Sequence, residues 1–365
     1  MGRVHDLYDR QRQSPWLDNL RRAWIADGSI QGWIDRGVRG ITSNPSIFQK
    51  AIEAGDEYSA QLLELVGAGS SIEDAYWTMV ADDIVAALAL FRPMYDASDR
   101  GDGYVSVEVA PSLARDTDGT VEMARDLWRR IDRPNLFVKI PATAEGLPAI
   151  RDAIAEGINI NVTLIFSLDR YQGVMEAYLD GLDAAADAGR DLSRISSVAS
   201  FFIRRVDTAV DRRLDAVGTE QALALRGQAA VAQGQLAGAM ARETFAGPRW
   251  ERLVARGARF QRPLWASTST KNPAYPDTLY VDQLIGPDTV NTIPEATLEA
   301  FEDHGTLART LDADVEGARA TWAAVGGLVD LDDVGRVLEA EGVTAFEKSY
   351  DELLGALETR ARDLT

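Results

Sequence analysis

The chain has 365 residues with 38 basic and 57 acidic side chains, a formal net charge of −19 that makes nucleic acid an unfavourable partner. Its 46% hydrophobic and 26% charged residues are the composition of a folded globular protein and exclude disorder over most of the length. There is no cysteine, and the only histidines, His5 and His304, stand near opposite ends, so disulfides, thiolate nucleophiles, Cys/His zinc sites and HExxH proteases are excluded.

Taken in chain order, the N-terminal residues Met1 to Asp6 lack the apolar core of a signal peptide, and Asp6 breaks the myristoylation pattern. A weak strand is expected near residues 16–20. Clearer β-branched or aromatic runs follow at 38–43, 104–109, 136–140, 158–166, 197–203, 264–268 and 290–293. Between them Val121, Ala124, Leu127, Trp128 and Ile131 repeat at helical spacing, as do Tyr171, Val174, Met175, Tyr178, Leu182 and Ala185. The stretches 204–262 and 295–365 are too long for single crossovers and carry helical spacing, so extra helices are expected there, the last over 345–362. The longest apolar run, residues 84–91, has eight residues, well short of the roughly 20 that span a bilayer as a helix. The expectation is a cytoplasmic protein with no membrane contact.

Strands alternating with helices call for a parallel sheet. Eight such strands, with no Pro/Gly/Ser linker between them, predict one domain over 1–365: an α/β fold, a (β/α)8 TIM barrel with additional helices. The alternative is an open doubly wound sheet, which loses ground because no GxGxxG follows a predicted strand and GxxxxGK[ST] is absent.

What chemistry remains belongs to lysine, carboxylates and hydroxyls. Lysine is scarce: Lys50, Lys139, Lys271 and Lys348 are the only four. Lys139 lies in the apolar strand Leu136-Phe137-Val138-Lys139-Ile140-Pro141, where desolvation favours a neutral, nucleophilic amine able to form a Schiff base with a ketone. A strand lysine that snorkels to water or pairs with a carboxylate is the other reading. In a barrel, the strand C-termini converge on one site, and near those ends stand Thr42, Asn44, Glu108, Asn161, Thr163, Ser200 and Ser267. Alternation puts Glu108 on the same face as Ser106, where it is either a proton carrier or a counter-ion for the lysine. Asp18 is a second candidate proton carrier, or a helix cap. Arg204 and Arg205 after one strand, with Ser267 to Lys271 after another, offer donors that suit a phosphate.

Three segments carry a family likeness. They are Gly40-Ile41-Thr42-Ser43-Asn44-Pro45-Ser46-Ile47, Phe137-Val138-Lys139-Ile140-Pro141-Ala142-Thr143, and Gly157-Ile158-Asn159-Ile160-Asn161-Val162-Thr163-Leu164-Ile165-Phe166-Ser167. In this order they resemble the transaldolase family, specifically its longer bacterial subclass, over nearly the whole chain. The resemblance implies a (β/α)8 barrel of the class I aldolase type with no metal and no cofactor. It also implies small-molecule sugar phosphates as partners and transfer of a dihydroxyacetone unit in the non-oxidative pentose phosphate pathway. Monomers and homodimers both occur among such enzymes.

Matched by position, Lys139 is the Schiff-base lysine, Glu108 and Thr163 hold the catalytic water, and Asp18 is the acid/base. Asn44 and Asn161 bind the dihydroxyacetone hydroxyls, neutral donors that add no charge opposing the iminium. Thr42, Ser200 and Phe202 line the pocket, and Arg205 and Ser267 bind phosphate. One departure stands out: shorter enzymes of the family have an arginine two positions after the serine, where this chain has Ser269. Lys271 is a candidate replacement, although it lacks the bidentate fork of arginine. Two other functions compete: a Schiff-base lyase resembling fructose-6-phosphate aldolase that releases free dihydroxyacetone, and a non-catalytic sugar-phosphate-binding barrel.

Overall fold

The structure is a computed structural model that describes residues 2–364; Met1 and Thr365, the ends of the expected domain, lie outside the described residues. Eight parallel strands close into a barrel in sequence order. They are β1 (Gln13–Leu17), β2 (Gly40–Ile41), β3 (Tyr104–Glu108), β4 (Leu136–Pro141), β5 (Ile160–Ile165), β6 (Ser197–Phe202), β7 (Arg262–Ala266) and β8 (Thr289–Ile293). The expected (β/α)8 architecture is therefore present, and the doubly wound alternative is not. No helix among the described residues is long and apolar enough to cross a membrane.

Two strands differ from expectation. β1 begins three residues before the expected segment, because polar Gln13 and Ser14 are fully buried and hydrogen-bonded inside the barrel: Gln13 donates to the Leu284 carbonyl at 2.7 Å and Ser14 to Asp102 at 2.8 Å. β2 contracts to two residues, since the chain after Ile41 leaves the ladder to cap the helix Pro45–Glu53. The helices Thr117–Ile131 and Leu168–Asp187 cover the predicted periodic runs, and side chains of Asp116 and Ser167 accept from the first-turn amides of each.

The barrel floor is packed with rings and one carboxylate. Tyr104 stacks on Phe137 with centroids 4.2 Å apart, and Trp16 lies about 6 Å from both. Gly40 is required beside them, because a Cβ there would fall 2.7 Å from the Trp16 indole. Asp102, 1% exposed, accepts from Ser14, from Trp16 at 3.2 Å and from Arg39 at 2.7 Å, and pairs with Arg262 at 3.3 Å. Both oxygens of Asp102 are thus engaged at this face, and the strand C-termini open at the other.

That other face is roofed by the final helix, which differs most from expectation. It runs Leu331–Leu364, 34 residues, and not 345–362. Gly335 and Gly342 lower its intrinsic propensity, but they are what allow it to lie against the barrel. A Cβ at Gly342 would sit 3.1 Å from Leu164, and one at Gly335 3.0 Å from Ser167. The helix packs on the Pro45–Glu53 and Arg204–Val217 helices and on β5. Its start is fixed by Asp330, whose carboxylate accepts from the Asp333 amide at 2.9 Å.

Replacing Asp102 by Ala leaves the half-buried Arg39 and Arg262 guanidiniums without their counter-charge, so urea denaturation is expected to show a loss of about 1.5–3 kcal/mol.

Candidate active site

Strand register assembles the centre. Glu108 of β3 stands opposite Lys139 of β4, which stands opposite Asn161 of β5. Three neighbouring strands therefore bring a carboxylate, an amine and an amide side by side, all facing inward. Lys139, 5% exposed, donates to Glu108 Oε2 at 3.1 Å and to the Ser43 carbonyl at 3.3 Å. Its nitrogen lies 6.0 Å from the ring of Phe346 on the roofing helix. The lysine does not snorkel outward; the counter-ion contact that the sequence left open is present.

Asp18 follows β1 directly and caps nothing: the next helix, Arg22–Ala26, has Arg21 at its N-cap and no side-chain cap. Its carboxylate accepts from Thr42 Oγ1 at 2.9 Å, and Thr42 in turn lies 2.6 Å from the Thr292 hydroxyl. Burial holds the Asp18 carboxyl above the usual range, against the pull of Lys139, the Thr42 hydrogen bond and Lys50. Burial likewise raises Glu108, opposed by the charge and hydrogen bond of Lys139 and reinforced by the negative charge of Asp18. Both carboxylates are thus stronger bases than exposed ones.

A register shift in β5 between Val162 and Ile165 surrounds Thr163, and Leu164 adopts a positive φ of 59°. The Thr163 hydroxyl is fully buried, unpartnered within the protein and on the cavity wall. Asn161 is differently placed. It accepts from Ser200 Oγ at 2.7 Å and donates to Ser106 Oγ at 3.0 Å, and it is fully buried behind the wall of the cavity. Asn44 does reach the wall, and its Oδ1 also caps the Pro45–Glu53 helix by accepting from the Ile47 amide at 3.0 Å.

The cavity above these groups measures about 690 Å³ and is open toward solvent. Thr42, Lys139, Ser200 and Phe202 line its depth; Arg205, Ser267 and Lys271 line its mouth. Phe202 packs on Phe166 with ring centroids 5.1 Å apart, and Arg205 lies 5.7 Å over the Phe202 ring. Ser267 holds a left-handed φ of 58° where the chain turns out of β7. Lys271 is exposed on the same loop. Sequence reasoning assigned no site role to Ser106, named there only as facing the same way as Glu108, to Thr292 or to Phe346. The first two were legible as inward polar positions of strands already recognised, whereas Phe346 sits on the roofing helix, where periodicity says nothing of the barrel beneath.

The fold and this centre define a class: an α/β barrel with an inward lysine nucleophile candidate paired to a buried carboxylate, with a second, half-buried carboxylate nearby. Comparison with known proteins specifies it further. The family described as Transaldolase/Fructose-6-phosphate aldolase matches residues 15–357, and the chain belongs to that family. Among curated relatives, a transaldolase of Thermobifida fusca is 54% identical over 342 residues, 93% of each chain. A transaldolase of Parafrankia sp. is 53% identical over 345 residues, 94% of each chain. One of Mycolicibacterium smegmatis is 53% identical over 348 residues, 94% of this chain and 93% of the relative.

The raised Asp18 carboxyl has a consequence for stability. Between the usual carboxylate range and its folded value, the native state binds more protons than the unfolded chain, so stability is lost as pH rises through that window. Asp18→Asn removes this loss: the variant is expected to show a higher urea midpoint than wild type at pH 7, with the gain shrinking as pH falls into the usual carboxylate range.

Proposed function

We propose that this chain is a transaldolase that moves a dihydroxyacetone unit between sugar phosphates through a Schiff base on Lys139. The observation that carries the reading is the buried Lys139–Glu108 contact of 3.1 Å at the base of a cavity rimmed with cations. Full-length relatives at 51–54% identity bearing that name support it. Sedoheptulose 7-phosphate or fructose 6-phosphate would serve as donor, with erythrose 4-phosphate or glyceraldehyde 3-phosphate as acceptor, in the non-oxidative pentose phosphate pathway.

Chemically, the Lys139 ammonium must first give up a proton, and Glu108 is the adjacent base. The neutral amine then adds to the donor ketone to give a carbinolamine, which loses water to an iminium. Asp18 accepts the proton of the C4 hydroxyl; the C3–C4 bond breaks, its electrons pass to the iminium nitrogen to form an enamine, and the aldose phosphate leaves. The enamine carbon next attacks the acceptor aldehyde while Asp18 returns its proton to the new hydroxyl. Water held by Glu108 and the otherwise unpartnered Thr163 hydroxyl finally hydrolyses the iminium.

Asn44 and Ser200 would bind the hydroxyls of the three-carbon unit. Asn161, whose amide is engaged by Ser106 and Ser200, contributes by fixing Ser200. Thr42 orients Asp18. Phe202 supplies an apolar wall, and Arg205, Ser267 and Lys271 face the phosphate end of the cavity. We place the enzyme in the cytoplasm.

Product analysis tests the reading. With fructose 6-phosphate and erythrose 4-phosphate, sedoheptulose 7-phosphate and glyceraldehyde 3-phosphate should appear in equal amounts. Free dihydroxyacetone accumulating at the same rate with and without acceptor would instead make the protein a lyase. Lys139→Met should lower kcat by about 10³-fold or more, and because Glu108 is left buried without its counter-charge the urea midpoint should fall below that of wild type.

A further inference from the structure

The cation that replaces the arginine absent at position 269 is identifiable from burial and unpaired charge. Lys50 and Lys271 reach the cavity rim but are exposed, and water solvates their ammonium groups whether or not an anion is bound. Arg204 and Arg205 are different. Both line the cavity and are half-buried, and neither has an ion-pair partner among the described residues. The Arg204 Nε atom is fully buried and unpartnered. An orphaned, charged donor costs several times a neutral one, and a second guanidinium on the adjacent residue adds like-charge repulsion. Consistently, burial lowers the Arg204 affinity for its proton, and burial followed by the charge of Arg204 does the same to Arg205, with Glu341 as the opposing carboxylate.

Position completes the case. The Arg204 amide donates to the Ser267 carbonyl at 3.1 Å, so Arg204 is tethered to the end of β7 from which the missing arginine would project. Ser269 lines the same part of the cavity with a neutral hydroxyl. We propose that Arg204 supplies the second guanidinium fork for the substrate phosphate, from the end of β6, in place of the arginine that Ser269 displaces. The phosphate is then gripped by Arg204 and Arg205 from one helix start, with Ser267 between the strands, and the exposed Lys271 adds only long-range attraction.

The inference rests on the sugar-phosphate reading above, so the wild-type enzyme must first turn over fructose 6-phosphate with erythrose 4-phosphate; failure at that step is failure of the transfer reading, not of this assignment. Given turnover, Arg204→Met keeps the apolar stem and removes the fork. It should raise KM for fructose 6-phosphate about ten- to hundredfold. The inhibition constant of inorganic phosphate should weaken by a similar factor, and kcat/KM for unphosphorylated fructose should change less than about threefold. Arg204→Lys, which restores the charge without the fork, should fall between wild type and Met, and serves if the Met variant does not fold. Unchanged KM and phosphate inhibition in both variants would overturn the proposal. So would equal losses toward fructose and fructose 6-phosphate, or a loss confined to Lys271→Met.

Discussion

A single contact organises the molecule: the buried amine of Lys139 against the carboxylate of Glu108 on the next strand, 3.1 Å apart. Two opposite charges in a low-dielectric interior hold together only with good geometry and satisfied neighbours. Here the ladder register supplies the geometry and the Ser43 carbonyl takes a further ammonium hydrogen. The same burial raises Glu108 and Asp18, so the interior that encloses the amine also provides bases to take its proton. Reactivity and strand pairing are thus two aspects of one arrangement.

The barrel divides its labour between its ends. At the N-terminal face, Asp102 saturates its oxygens with Ser14, Trp16, Arg39 and Arg262, leaving neither oxygen free to react. At the C-terminal face several polar groups have no protein partner, among them the Thr163 hydroxyl and the Arg204 Nε. Unsatisfied buried donors destabilise a native state, and they are found where a substrate is to complete the bonding. The long final helix closes this face from one side, with Phe346 near the lysine and glycines at its two closest approaches to the barrel. The roof narrows the exit of a reactive enamine to the open side of the cavity, where an acceptor enters.

Much of this was readable from the residues alone, for reasons that can be stated. Buried parallel strands are short continuous apolar runs, so a lysine in β4 and a carboxylate in β3 were conspicuous against Val and Ile. Rarity of lysine sharpened the signal. Convergence of strand C-termini then grouped Glu108, Lys139, Asn161 and Ser200 at one site. Asp18 could not be settled this way, because an aspartate before a helical run is also an ordinary cap; only the absence of such a bond, and the bond from Thr42, distinguishes the two. β1 starts ahead of the expected 16–20 because Gln13 and Ser14 are polar, and their burial depends on partners far along the chain, Leu284 and Asp102. The final helix was cut short for a similar reason. Gly342 and Thr344 disfavour helix locally, whereas packing against Leu164 rewards the absence of a side chain at 342. Long-range packing overrode local preference in each case.

The central claim is that Lys139, alone among the four lysines, bonds covalently to a ketose. The most direct measurement is reduction with borohydride in the presence of fructose 6-phosphate, followed by peptide mass spectrometry. The account predicts a three-carbon adduct, reduced from the dihydroxyacetone imine, on the peptide containing Lys139 and on no other. Labelling of Lys50, Lys271 or Lys348, or no label at all under turnover conditions, would contradict it.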